Sequence, residues 1–220
     1  MIFRLLSHLA LLTYSKRWIK MTPEDSIGYT RYTYRYLEDL ADALHVRSIC
    51  NHVLADPRFI LWSGSSRREQ HHYGMRGLFT HTTEVVKLCL ANNELLGCKL
   101  NNTELFLSAL FHDCGKMWDY APSSFENEAP DYSNWISTPH KRSIHHISRS
   151  AIEWNLAAKS KISETLLDAV THNILSHHGQ RAWGSPVAPK SGAAWMLHLC
   201  DGISARMNDC DSWDPYSGAK

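Results

Sequence analysis

Apolar residues recur along the chain with the helical period almost throughout, and no run alternates apolar with polar as a half-buried strand requires. The pattern predicts an all-α protein. From about Ile27 to Leu54 it gives a helix or helix pair, then an Arg- and Ser-containing loop over Trp62 to Gln70. A helix over Gly77 to Leu96, stopped by Gly97, carries Leu78, His81, Val85 and Leu88 on one stripe, so His81 points where the core lies. Thr103 is placed to cap the next helix, Glu104 to Asp113, in which Leu105, Phe106, Leu107, Ala109, Leu110 and Phe111 leave no polar face. That is the mark of a central buried helix. It delivers His112 and Asp113 to the interior, and Gly115 ends it.

Trp118 to Trp135 reads as a long polar loop with Pro122 and Pro130. Thr138 and Pro139 open a fourth helix reaching about Ala158, and Ser163 opens a fifth that ends at Ser176-His177-His178-Gly179. After the turn Trp183-Gly184-Ser185-Pro186, a last helix from about Lys190 to Asn208 carries Leu197, His198, Asp201 and Ala205 along one face. No internal repeat or linker is visible. The expected organisation is an N-terminal helical extension over residues 1–70 and a helical domain over residues 71–220, packed as one unit. Met1 to Tyr14 is apolar but interrupted by Arg4 and His8 and too short to span a bilayer, so it is expected to be a first amphipathic helix and no membrane partner is expected.

A hydrophobic content of 44% with 20% charged residues over 220 residues excludes disorder for most of the chain. Lys plus Arg number 23 against 22 Asp plus Glu, a formal charge of +1, so no global basic field holds long nucleic acid and any such contact is local. Six cysteines without a CxxC pair read as reduced thiols of a cytoplasmic protein. What stands out is 14 histidines, which raises the question whether imidazoles gather at metal ions.

A buried helix ending in adjacent His112 and Asp113 is unusual, because an unpaired carboxylate in apolar surroundings is costly unless a cation or hydrogen bonds satisfy it. The wider set of imidazoles and carboxylates at helix ends or on apolar stripes is His81, His112, Asp113, His146, His177 and Asp201. The doublets His145-His146 and His177-His178 leave the register open at two of these positions. Imidazole with carboxylate suits Mn, Fe, Co, Ni or Zn, whereas Ca takes oxygen only. Six protein ligands exceed the needs of one catalytic ion and imply two divalent ions sharing Asp113. Such pairs, about 3.5 to 4 Å apart, clamp the attacking and leaving oxygens of an in-line displacement.

The ordered pattern His81, His112-Asp113-Cys114-Gly115-Lys116, His146, His177-His178 and Asp201 resembles the HD-domain metal-dependent phosphohydrolase superfamily. More narrowly, the chain is similar to the HD domain of YhaM-type 3′ exoribonucleases. The similarity lies in His71-His72 ahead of Gly77-Leu78-Phe79-Thr80-His81, in His146-Ile147-Ser148, in Leu175-Ser176-His177-His178-Gly179, in Trp183-Gly184-Ser185-Pro186 and in Leu197-His198-Leu199-Cys200-Asp201. The resemblance implies an HD-type helical bundle over residues 71–220 and selects His146 from its doublet. His177 is assigned to the second ion, with His178 lining the pocket. His71, His72, His172 and His198 are expected to orient the ligating rings or to be structural.

The implied activity is that of a di-metal phosphohydrolase cleaving nucleotide phosphoester bonds, with Asp113, Lys116 and His178 as the catalytic group. Lys116, three residues past the metal dipeptide, is placed to neutralise phosphate or assist the leaving oxygen, and Arg142 and Arg181 to hold substrate phosphate. Trimming of short oligonucleotides from the 3′ end leads. Nucleotide or dNTP hydrolysis and cyclic-dinucleotide cleavage follow, and a di-iron oxygenase on the same scaffold is more distant. Two departures point to a short substrate: no nucleic-acid-binding barrel is legible in the first seventy residues, and Ser204 stands where the exoribonucleases carry an acidic residue.

Overall fold

A computed structural model describes residues 23–68, 72–123 and 131–207; the expected opening helix over Met1 to Tyr14 lies outside them, as does His71. In chain order the elements are α1 (Pro23–Ala43), α2 (Arg47–Leu54), α3 (Pro57–Leu61), α4 (Gly77–Leu95), α5 (Asn102–Phe111), α6 (Lys116–Asp119), β1 (Tyr120–Pro122), β2 (Trp135–Ser137), α7 (His140–Ser143), α8 (His146–Ala158), α9 (Glu164–Ser176), a 3-10 turn (Arg181–Trp183) and α10 (Gly192–Met207). Among the described residues the fold is all-α apart from one two-stranded hairpin.

The apolar helix α5 is the hub: Leu105 to Phe111 are all buried, and α4, α8, α9 and α10 pack around it. Its cap is Asn101, whose side chain accepts from the N–H groups of Thr103 at 2.8 Å and Glu104 at 3.2 Å; the expected cap, Thr103, is instead the second residue of the helix. Both residues are suited to capping, and the asparagine wins because its carbonyl reaches two free N–H groups at once. Ser163 caps α9 as expected, accepting from Leu166 N–H at 3.3 Å.

The hairpin corrects the expectation of a long polar loop from Trp118 to Trp135. Tyr120, Ala121 and Pro122 pair antiparallel with Ser137, Ile136 and Trp135. Strands of three residues are too short to display an alternation, and their stability comes from tertiary contact. Trp135 is buried edge-on against Trp62 at 5.4 Å, and the Trp62 indole donates to Tyr120 O at 2.7 Å. The middle of the loop, residues 124–130, lies outside the described residues.

The fourth helix is also not continuous. Pro139 stands at the cap of the four-residue α7, the chain turns at His145 with φ of +70°, and α8 starts afresh at His146. Thr138 does not cap; its hydroxyl donates to Trp118 O at 2.5 Å. The break puts His146 at the first turn of a helix, where its free N–H meets Asp119.

The N-terminal helices share one apolar core with the rest: Leu37, Leu40, Ile49, Val53 and Phe59 join Leu78, Phe79 and the α5 residues. His52 of α2 and Glu153 of α8 meet at 2.7 Å. Among the described residues no helix is long and apolar enough to cross a membrane. Trp154 is the largest side chain tying α8 to α9, fully buried, edge-on to Phe111 at 5.2 Å and donating to Leu167 O at 3.0 Å. Trp154→Ala is therefore expected to cost about 3–5 kcal/mol of stability, read as a lower urea midpoint; an unchanged midpoint would remove Trp154 from the core.

Candidate metal centre

Three helix ends and two helix interiors converge on Asp113. His112 and Asp113 follow α5 directly, His146 opens α8, His177 follows α9, Asp201 comes from α10, and His81 stands within α4. Gly115 makes the convergence possible, because a side chain there would fall on the carbonyl of His146. Its own N–H is held by Ser150 Oγ at 2.9 Å.

The two oxygens of Asp113 face different partners. Oδ2 lies 3.2 Å from His81 Nε2, 3.4 Å from His112 Nε2 and 2.6 Å from Lys116 Nζ, and Asp201 Oδ1 approaches the same His81 nitrogen at 3.1 Å. Oδ1 lies 3.5 Å from His146 Nε2 and 3.7 Å from His177 Nε2. These last three atoms are buried and have no hydrogen-bond partner. Two imidazole nitrogens and a carboxylate oxygen, desolvated together and left unsatisfied, are the donor set of a divalent ion. A ring nitrogen of His178 lies within 4.8 Å of those of His146 and His177, and His81, His112, Asp113 and Asp201 form a second group on the same criterion.

The far side of each ring fixes its tautomer. His112 Nδ1 donates to Ala109 O at 2.8 Å and His177 Nδ1 to Ile174 O at 2.7 Å, so in both rings Nε2 is the nitrogen turned toward Asp113. His81 Nδ1 donates to Ser204 Oγ at 2.9 Å, and Ser204 in turn donates to Glu84 Oε2 at 2.7 Å. Glu84 also meets His72 at 3.0 Å. The serine that stands in place of an acidic residue thus passes the hydrogen bond on to a carboxylate one turn beyond His81. His198 Nδ1 donates to His177 O at 2.8 Å, and His172 accepts from Lys190 N–H at 3.0 Å.

Burial drives the pKa of His177 well below its ordinary value and that of His146 to about 4, so both are neutral near pH 7. For His81 burial acts the same way, but Asp113 and Asp201 outweigh it and hold the ring at about 9. Without an ion, a proton sits between those carboxylates. Asp113 is kept well below the carboxylate range because Lys116 and His112 overcome the cost of its burial.

All six expected ligands, with Lys116 and His178, are brought together. Arg142 on α7 and Arg181 on the 3-10 turn are not part of the cluster; both are exposed on the short segments flanking α8 and α9. Sequence reasoning missed Asp119 and Glu84. Asp119 is fully buried, takes His146 Nδ1 and N–H at 3.1 Å each and takes His140 Nδ1 at 2.8 Å. Its signal was available: a carboxylate inside Met117-Trp118-Asp119-Tyr120 is as misplaced among apolar residues as Asp113 is after α5. Asp119→Ala frees the His146 ring, and is expected to weaken the ion on the His146–His177 side by about 10- to 100-fold while sparing the ion on the His81 side. Calorimetric titration with Mn checks this; equal weakening of both sites would contradict it.

The chain is related to curated proteins named 3′-5′ exoribonuclease YhaM. It is 29% identical over 168 residues to that of Shouchella clausii (strain KSM-K16), covering 76% of this chain and 50% of the relative. It is 30% identical over 147 residues to that of Bacillus subtilis (strain 168), covering 65% and 43%. To that of Geobacillus sp. (strain WCH70) it is 31% identical over 144 residues, covering 65% and 41%. The chain therefore matches half of these relatives' length or less. No family model matches it, and no solved structure matches it significantly.

Proposed function

We propose that this chain is an HD-type phosphohydrolase that uses two divalent ions to remove nucleotides from the 3′ end of short oligonucleotides. The observation that carries the reading is the partition of Asp113, with Oδ2 toward His81 and His112, whose rings Asp201 also approaches, and Oδ1 toward the unsatisfied His146 and His177. Two ions bound there would supply a nucleophile at neutral pH and positive charge for the phosphoryl oxygens. The protein's own part is to hold four imidazoles in fixed orientations beside Asp113 and Asp201 and to keep Lys116 against Asp113. Burial of the ligands excludes bulk water, which strengthens every charge interaction in the site.

Support for a nuclease over other phosphohydrolases comes from the YhaM relatives, which are named 3′-5′ exoribonucleases. The near-neutral charge supports a short grip, since each phosphate contact that is absent flattens the salt dependence by about one unit of slope. A Mn-supplemented screen of nucleotides, cyclic dinucleotides and 5′-labelled oligonucleotides, with products resolved by mass, tests the reading. Stepwise shortening from the 3′ end with weak salt dependence is expected. Hydrolysis confined to triphosphates or to cyclic dinucleotides would overturn the nuclease assignment and leave the di-metal centre standing.

A further inference from the structure

The metal cluster does not explain what surrounds His198. Two large indoles flank its ring: Trp183 at 6.3 Å, inclined by 30°, and Trp195 edge-on at 5.8 Å. Each is about half exposed, 53% for Trp183 and 50% for Trp195. A tryptophan that only stabilises the fold is buried far more deeply, as Trp135 and Trp154 are.

The 3-10 turn that carries Trp183, and His198 itself, are each tied to the doublet His177-His178. Trp183 O accepts from His178 Nδ1 at 2.7 Å, and His178 N–H donates to Ser185 Oγ at 3.1 Å, so the 3-10 turn is fastened to the ligand doublet. His198 is fastened through His177 O. Gly179, with φ of +82°, lets that ring in, because a side chain there would meet it at 2.5 Å. The doublet His177-His178 thus holds the metal side with its rings and the tryptophan side with its backbone and Nδ1.

We infer that Trp183 and Trp195, braced on His198, form a stacking platform for the bases of a single-stranded oligonucleotide whose 3′ end enters the metal centre. The inference rests on the nuclease reading above and adds the means of grip. A protein with a net charge of +1 has little phosphate-neutralising charge to spare, and stacking on indole faces binds any base without needing it. Arg181, exposed two residues before Trp183, places one cation where the strand's backbone would run.

The test compares the Mn-loaded full chain with Trp183→Ala, Trp195→Ala and Trp183→Phe. The probes are a 5′-labelled pentaribonucleotide and the same strand lacking its last two bases. Wild type is expected to show a KM for the intact strand about 30-fold or more below that for the abasic one. Either alanine variant should erase most of that ratio and Trp183→Phe should keep part of it, with Mn content at the wild-type level in all three. If the ratio survives in both alanine variants while RNA is shortened, the platform is wrong and the nuclease reading stands. If wild type shortens no strand, fluorescence anisotropy of the same two probes decides. A preference for the intact strand that Trp183→Ala or Trp195→Ala abolishes upholds the platform while the nuclease reading falls; no preference overturns the platform. Trp195, Leu199 and Ile203 are exposed one turn apart on α10, so sedimentation is run in parallel. A smaller mass for Trp195→Ala than for wild type would make that face a contact between copies and overturn the platform.

Discussion

Asp113→Asn should empty both metal sites and lower phosphodiester hydrolysis by about a thousandfold or more, the equivalent of several kcal/mol of lost charge stabilisation. Each of its oxygens serves one half of the cluster, so removing the carboxylate's charge weakens both halves, which no other single ligand can do. The substitution keeps the shape of the side chain and separates charge from packing. It also leaves the Lys116 ammonium, 2.6 Å away and largely buried, facing a neutral amide. Breaking a buried pair in this way costs about 3–5 kcal/mol, so the metal-free variant should melt well below the metal-free wild type. Elemental analysis and thermal melting check the two halves of the prediction. Full occupancy by two ions would refute the bridge.

Lys116→Met should lower kcat by about a hundredfold with a much smaller change in KM, because a charge that acts on the developing transition state is lost from turnover first. Burial pulls the lysine's pKa down, but the Asp113 carboxylate overrides it and holds the group above the usual lysine range, so it stays charged at any working pH. In the metal-free protein that charge neutralises Asp113. With ions bound it becomes available to a substrate phosphate. Metal content should accordingly stay at the wild-type level in the variant, since a competitor of the ions has been removed. Unchanged kcat, measured with a small phosphodiester, would confine Lys116 to a structural role.

The helices that bring the site together were legible because each has an apolar stripe long enough to show its period. α5 is the clearest case, apolar on every side and hence central. The cluster that gathers around Asp113 was legible for a related reason, since charged and polar groups stood where burial was dictated by their neighbours. What the sequence hid depends on distant segments meeting. The hairpin joins Tyr120–Pro122 to Trp135–Ser137 across a loop, and neither strand carries a pattern of its own. The break at His145 looks like a continuous helix in one dimension, because its cause is Asp119 drawing in His146 N–H from another element. The His81–Ser204–Glu84 chain was likewise out of reach: Ser204 reads as the loss of a carboxylate until Glu84 is seen to supply one through it. Arg142 and Arg181 were chosen for standing beside ligands in sequence, and both are exposed on the surface segments.

The most direct test of the account is the number and coupling of ions in the resting protein. The chain loaded with Mn and freed of excess metal should hold two ions per chain by elemental analysis. Its electron paramagnetic resonance spectrum should be that of an exchange-coupled pair, as a shared Asp113 requires. One ion per chain, or two that give only the spectrum of isolated Mn, would contradict the bridged centre on which the proposed function rests.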